Sequence, residues 1–249
     1  MMPIIGSEVH AVTVRSAVRR ILDWSKQREG RYVCVANVHV LMEAWDSAEF
    51  MQSLKAADLV TPDGMPLVWL MRLKGYSNQS RVYGPTLMLH VLERAALEDI
   101  PVGFYGSTTE VLDALTKRMR SRYPGLQVGF SYAPPFAEMS PEQDLSMVEQ
   151  INASGARILF VGLGCPKQEI WMAKHRGLVQ AVMLGVGAAF DFHAGVKPQA
   201  PAWLQKLGLE WLFRLLTEPR RLWKRYLYHN PRFVVLALAD LLGLWKKSA

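Results

Sequence analysis

The sequence predicts an α/β protein: a doubly wound, mostly parallel sheet of the Rossmann-like kind with a basic helical C-terminal appendage. Three observations carry this. Short apolar runs rich in Val, Ile, Leu and Phe alternate with stretches of helical periodicity, distinctive polar residues follow the apolar runs, and the whole net charge of +7 resides beyond residue 195.

The apolar runs predict strands at 32–36, 58–61, 102–105, 127–131, 158–162 and 181–186. Helical periodicity predicts helices at 12–27, 38–53, 66–74, 85–98, 108–122, 141–153 and 167–175. Ser107 ahead of Thr108 and Glu110, and Ser140 ahead of Pro141, read as helix starts, because a serine oxygen can accept an unpaired first-turn amide and proline needs no amide partner there. Strand-helix alternation implies parallel crossovers with helices on both faces, so ligands belong at the C-terminal strand ends. Asn37, Pro62, Asp63, Gly64, Gly106, Ser107, Pro166, Lys167, Gln168, Glu169 and Asp191 all follow predicted strands and are expected to share one crevice. Residues 194–203, with glycine and two prolines, read as a linker. The chain therefore divides into a catalytic α/β domain over 1–195 and a basic amphipathic appendage over 196–249.

At 249 residues and half hydrophobic, the chain can bury one large core. Residues 196–249 hold ten Lys or Arg against three acids, whereas 1–195 are balanced at nineteen of each. That asymmetry points to an anionic partner met by one segment. The apolar run 233–245 is thirteen residues, about 20 Å as a helix against roughly 30 Å of bilayer core, so it should not span. Arg220, Arg221, Lys224, Arg225 and Arg232, with Trp223, Tyr226 and Tyr228 among them, read instead as an interfacial anchor on anionic lipid; the competing reading is a buried C-terminal helix with a solvated basic face. Cys34 and Cys165 lack disulfide-framework or C-x-x-C spacing, and the N-terminus lacks the pattern of a secretory leader, so a cytoplasmic, peripheral location is expected.

Two glycine pairs, 162–164 and 185–187, fail the dinucleotide fingerprint, the third small residue being replaced by Lys167 and Phe190 respectively, and no phosphate-loop motif is present. These glycines either admit an anion to backbone amides at the start of helix 167–175 or pack strand on helix. Asp63, in TPDG just past a strand, is placed to accept a proton from a hydroxyl, although the same tetrapeptide suits a turn. The six histidines show no H-x-x-x-H or Cys/His clustering, and there is no Asp-x-Asp pair, so no metal and no cofactor are expected; bound pyrophosphate would be neutralised by Arg, Lys and helix amides.

Seven ordered motifs resemble the WecG/TagA/CpsF family of bacterial glycosyltransferases (glycosyltransferase family 26): Asn37 after the first strand, ADLVTPDGMPLVW at 57–69, RVYG at 81–84, GLGCPKQE at 162–169, GVGAAFDFHAG at 185–195, APAW at 200–203 and LEWLFRLLTEPRRL at 209–222. The resemblance implies inverting transfer of a sugar from a UDP-sugar donor to a polyprenyl-diphosphate-linked glycan acceptor, as in cell-envelope polysaccharide synthesis on the cytoplasmic membrane face. It implies that Asp63 is the general base with Asn37 beside it, that Arg81, Gln168 and Glu169 hold donor or acceptor, and that Arg214, Arg221 and Arg225 close over the diphosphate. Val35 departs from the threonine common two positions before the asparagine. An oxidoreductase reading fails on the glycine fingerprints. An adaptor using the tail on membrane or nucleic acid does not require the polar strand ends, so no nucleic-acid partner is expected; monomer and homo-oligomer are both compatible with the sequence.

Overall fold

The computed structural model describes residues 1–135, 137 and 139–244; Trp245, Lys246 and Lys247 of the predicted tail lie outside the described residues. An antiparallel hairpin, β1 (Met2–Ile4) and β2 (Ser7–Val9), precedes α1 (Val14–Ser25). Six parallel strands follow: β3 (Tyr32–Ala36), β4 (Leu59–Pro62), β5 (Val102–Gly106), β6 (Val128–Tyr132), β7 (Ile158–Gly162) and β8 (Val182–Gly185), in the order β4-β3-β8-β7-β5-β6. The crossovers are α2 (Val38–Asp46) and α3 (Ala48–Lys55), α4 (Met65–Leu73) and α5 (Gly84–Leu97), α6 (Thr109–Arg122), α7 (Pro141–Ala153) and α8 (Lys167–Lys174). After the sheet come α9 (Ala189–Ala194), α10 (Ala202–Lys206), α11 (Glu210–Thr217) and α12 (Pro219–Leu241).

All six predicted strands form, each end within about two residues of its expected place; β3, β4, β5, β7 and β8 are buried and read as apolar runs, whereas edge strand β6 is half-buried at alternate positions. Their side chains alternate between two cores. Val33, Val35, Val102, Phe104, Ile158, Phe160, Val182 and Leu184 point toward α1, α5, α6 and α9. Tyr32, Cys34, Ala36, Val60, Tyr105, Leu159, Val161 and Met183 point toward α2, α3, α7 and α8. This is the expected doubly wound arrangement.

Four local readings change. The helix expected over 38–53 is two, because Ser47 adopts an extended backbone (φ −128°, ψ 117°) and its side chain caps α3 by accepting from the Phe50 amide. Thr108, not Ser107, caps α6, accepting from the Val111 amide, while Ser107 takes a left-handed φ of 61°. The β1–β2 hairpin is additional: its strands are three residues long and its turn is Ile5-Gly6, both at positive φ, without the Asn-Gly or Asp-Gly cue that marks such turns. The linker expected over 194–203 is entered by α9 and α10, so only 195–201 are non-helical.

The appendage is helical and packs back on the sheet domain. α12 runs 23 residues, continuing through Pro231, and lies against α2 and α11. It buries Leu222, His229 and Phe233, and Phe233 joins the core beneath α2. Arg232 pairs with Asp46 at the end of α2, and Asp240 accepts from Lys74 at 2.8 Å and from the Ile5 amide at 3.2 Å, so the C-terminal helix is tied to α2, α4 and the hairpin. Among the described residues no helix is long and apolar enough to cross a membrane.

Replacing Phe233 with Ala should destabilise the protein by about 3–5 kcal/mol, the usual cost of deleting a buried phenyl ring. Hydrogen exchange should then accelerate across 219–241 well ahead of the sheet; uniform exchange in both regions would mean that α12 is not separately docked.

Candidate active site

The C-terminal ends of β4, β3 and β8 open into a cavity of about 610 Å³ whose outer wall is built by α11 and α12. At its floor, Asp63 follows β4. Its amide donates to the Ala36 carbonyl at 2.7 Å, and Val82 donates to the Pro62 carbonyl at 2.8 Å, which sets Arg81 beside it. Arg81 donates through Nε and Nη2 to Asp63 Oδ1 at 3.0 and 2.8 Å, and through Nε to the Asp63 carbonyl.

The same Nη2 reaches Glu210 Oε2 at 2.7 Å, and the guanidinium lies over the Tyr83 ring, 4.0 Å from its centre. Tyr83 donates its hydroxyl to Glu210 Oε1 at 3.1 Å and accepts from Gln199 Nε2 at 3.1 Å. Asp63, Arg81 and Glu210 have side chains only 13, 16 and 12 % exposed. Burial pushes the Asp63 carboxyl up from its ordinary range, Arg81 pulls it down, Glu210 pushes it up again, and the balance is upward. Glu210 was not singled out from sequence. Its signal was membership of the LEW motif, but no spacing rule joins it to a residue 129 positions earlier.

Asn37 caps α2 by accepting from the Val40 amide at 3.2 Å and lines the cavity beside Val35, an apolar wall at the position where threonine was expected. Gln168 lines the opposite side. Its Oε1 accepts from the Gly164 amide at 3.2 Å and its Nε2 donates to Glu169 at 2.8 Å, while a methyl group at Gly185 would stand 3.1 Å from that nitrogen; the glycine is there for close packing of α8 on β8. Glu169 is fully buried behind Gln168, from which it accepts a hydrogen bond, and does not line the cavity; burial pushes its carboxyl up to about 7.

Gly106, Ser107, Pro166, Lys167 and Asp191 also stay outside the cavity wall. β5 stands three strands from β3, about 14 Å at the usual strand spacing, which removes Gly106 and Ser107. Lys167 is exposed on the outer side of α8, and Asp191 pairs with Lys197 at 2.7 Å.

The appendage supplies Glu210, Arg214, Arg221 and Arg225 to the wall, from α11 and α12. Arg221 pairs with Glu218 at 2.7 Å, but Arg214 and Arg225 have no carboxylate within ion-pair distance among the described residues. The Nε of Arg214 is buried without a hydrogen-bond partner, and burial lowers the affinity of Arg225 for its proton. Two half-buried guanidiniums without counter-charge are costly unless an anion joins them.

His39 of α2 and His229 of α12 also face the cavity, their ring centres 5.0 Å apart, with Glu43 one turn beyond His39. This corrects the expectation that no histidines cluster: His39, Glu43 and His229 present one ligand atom each within 4.8 Å of one another. A search for His-His spacing misses a group made of a His/Glu pair on one helix and a histidine brought in by tertiary packing.

Glu210→Gln should lower the pKa of the Asp63 carboxyl, because it removes a nearby negative charge while leaving Arg81 in place. Carbon-detected NMR titration of Asp63 in the folded protein checks this; an upward or absent shift would mean that Glu210 does not couple to Asp63.

The chain matches the glycosyl transferase WecG/TagA/CpsF family over residues 2–247. It is similar, at 33% identity over 213 residues covering 85% of this chain and 80% of the relative, to an N-acetylglucosaminyldiphosphoundecaprenol N-acetyl-beta-D-mannosaminyltransferase from Bacillus spizizenii. A doubly wound sheet with the buried Asp63 carboxylate at a strand end, walled by appendage arginines, thus accompanies a match along nearly the whole sequence, and the protein belongs to the WecG/TagA/CpsF family of glycosyltransferases.

Proposed function

We propose that the protein transfers a sugar, with inversion, from a UDP-sugar donor to a glycan carried on a polyprenyl diphosphate, at the inner face of the cytoplasmic membrane. The observation that carries the reading is the charge layout of one cavity: a buried carboxylate on the sheet side and, on the appendage side, Arg214 and Arg225 without counter-charge, with Arg221 beside them. The named relative's substrate, a diphosphoundecaprenol-linked N-acetylglucosamine, is an anion and a lipid together, and both properties match this wall.

Inverting displacement needs one base on the acceptor hydroxyl and stabilisation of the charge that grows on the departing UDP. Arg81 occupies Oδ1 of Asp63, so Oδ2, beside Gly84, is the oxygen that takes the hydroxyl proton. Asn37, whose carbonyl oxygen is committed to capping α2, has its amide group left for a sugar hydroxyl. Arg214, Arg221 and Arg225 grip the diphosphate by forked hydrogen bonds, and the neutralisation they supply requires no metal at the reacting centre.

The lipid acceptor explains the apolar side of the mouth. Trp69, Leu73, Trp211, Val234, Leu238 and Leu241 line the cavity and are also exposed at the surface. With the neighbouring arginines they form a surface suited to anionic lipid, and the appendage over 196–249 acts as the membrane-associating unit. The surface leaves room for self-association as well.

A screen of UDP-sugars against a short-chain polyprenyl-diphosphate glycan, read by mass spectrometry, tests the reaction. Asp63→Asn should lower turnover by about a hundredfold to ten-thousandfold, and in the wild type the rate should rise with pH through a midpoint above the usual aspartate range, because only the ionised carboxylate accepts the proton and burial raises its pKa. Turnover unaffected by Asp63→Asn would sink the assignment. Flotation should also be stronger with anionic than with neutral vesicles and weakened by Leu238→Asp with Leu241→Asp; equal flotation in all cases would remove the membrane role.

A further inference from the structure

We propose that His39, Glu43 and His229 form a binding site for one divalent transition-metal ion, with zinc the best match, which clips α12 to α2 at the cavity rim. The site stands at the rim of the same cavity as the base and the arginine wall, and nothing in the transfer chemistry above calls for it.

The ligand set and spacing fit. His39 and Glu43 are four residues apart on α2 and so stand on one face of the helix, one turn apart. His229, 190 residues beyond His39, is delivered by α12 from across the rim. His39 Nδ1 lies 3.5 Å from Glu43 Oε1, and His229 Nε2 lies 3.4 Å from the same oxygen. Tetrahedral zinc with bonds of about 2.0–2.1 Å holds its ligand atoms about 3.3–3.4 Å apart, so two of the three separations already have the required length. The third is no more than 4.8 Å, and Glu43, with 30% of its side chain exposed, has room to adjust.

The imidazoles are also poorly satisfied as they stand. Among the described residues, both ring nitrogens of His39 and Nδ1 of His229 are buried without a well-formed hydrogen bond, a backbone group of Cys165 being the weak partner near His39. Unpaired buried polar atoms are costly, and coordination would satisfy one of the two His39 nitrogens. Three protein ligands leave a fourth position, and because His39 and His229 both line the cavity that position opens inward to water or an anion.

Charge selects the ion. Arg225, Arg214 and Arg232 bear on this cluster, against the acids Glu43 and Asp46. That field disfavours ions such as magnesium and calcium, which need several oxygen ligands, and leaves only ions that bind imidazole strongly enough to overcome it. The consequence for the fold is specific: a metal here would fasten the arginine-bearing helix to the sheet domain at the wall of the transfer site.

The test uses the full-length protein, stripped with chelator and dialysed. Zinc titrated by calorimetry, with metal content by mass spectrometry, should reach one ion per chain, and cobalt should give the visible absorption of a low-coordinate nitrogen and oxygen site. Glu43→Gln, a partly exposed position that should fold normally, and His229→Gln should each weaken zinc by more than about tenfold. His90→Gln, at an exposed histidine elsewhere, should not change it. Zinc should raise the thermal midpoint of the wild type but not of Glu43→Gln. Saturable uptake equal in wild type and Glu43→Gln, no uptake by the wild type, or a midpoint raised equally by magnesium would each overturn the proposal, whether or not the protein proves active on UDP-sugars.

Discussion

Arg81 is the residue through which the two parts of the molecule become one site. A single guanidinium, nearly closed off from solvent, binds Asp63 at the end of β4 and Glu210 at the start of α11, with its flat face on Tyr83. Two carboxylates this close would repel each other in a low-dielectric setting, and one cation between them converts the repulsion into a bridge. Such a bridge is not a source of great net stability, because three ions must lose water to form it. Its value lies in what removal of a partner would do: any one ion left alone would be buried and unpaired, so the arrangement holds sheet and appendage in a fixed relation.

That fixed relation explains why a neutral body and a basic tail make sense together. The sheet domain contributes the carboxylate, the asparagine and Gln168, each anchored by backbone hydrogen bonds or by a helix cap. The appendage contributes Arg214, Arg221 and Arg225 to the cavity wall, and of these Arg214 and Arg225 have no acidic partner among the described residues. Positive charge placed on the sheet side would have been cancelled by Asp63, whereas charge placed on α11 and α12 stays available on the opposite wall. Three of the tail's cations, Arg214, Arg221 and Arg225, therefore stand on one wall of one cavity.

The docking of α12 gives the tail a buried face and an exposed one. Leu222, His229 and Phe233 are buried, as expected of a helix packed on a domain, yet Trp223, Leu227, Val235 and Leu238 remain exposed, as expected of a surface that meets something apolar. A 23-residue helix has enough circumference for both. The exposed side reaches the cavity mouth, where Val234, Leu238 and Leu241 both line the cavity and face outward.

The parallel sheet was legible in the sequence because five of its six strands are buried on both faces, and burial on both faces demands short, nearly continuous apolar runs; edge strand β6 is only half-buried at alternate positions. Asp63, Asn37 and Gln168 were legible for a related reason, since chain reversal at the C-terminal ends of β3, β4 and β7 leaves few positions for polar residues. Breaks decided by one side chain, such as Ser47 between α2 and α3, were not, because helical periodicity continues across the gap. Strand order was not legible either, and it alone moved Gly106 and Ser107 away from the cavity. Glu210 and the His39, Glu43 and His229 cluster belong wholly to tertiary structure: each joins residues more than a hundred positions apart, Glu210 through its ion pair with Arg81 and the histidines through the packing of α12 against α2, not any local pattern. The sequence alone determined the layers, the strand ends and the sign of the charge on each segment, because these follow from local burial and composition. Only the folded chain decided which charges face one another, because electrostatic partnership depends on distance in space.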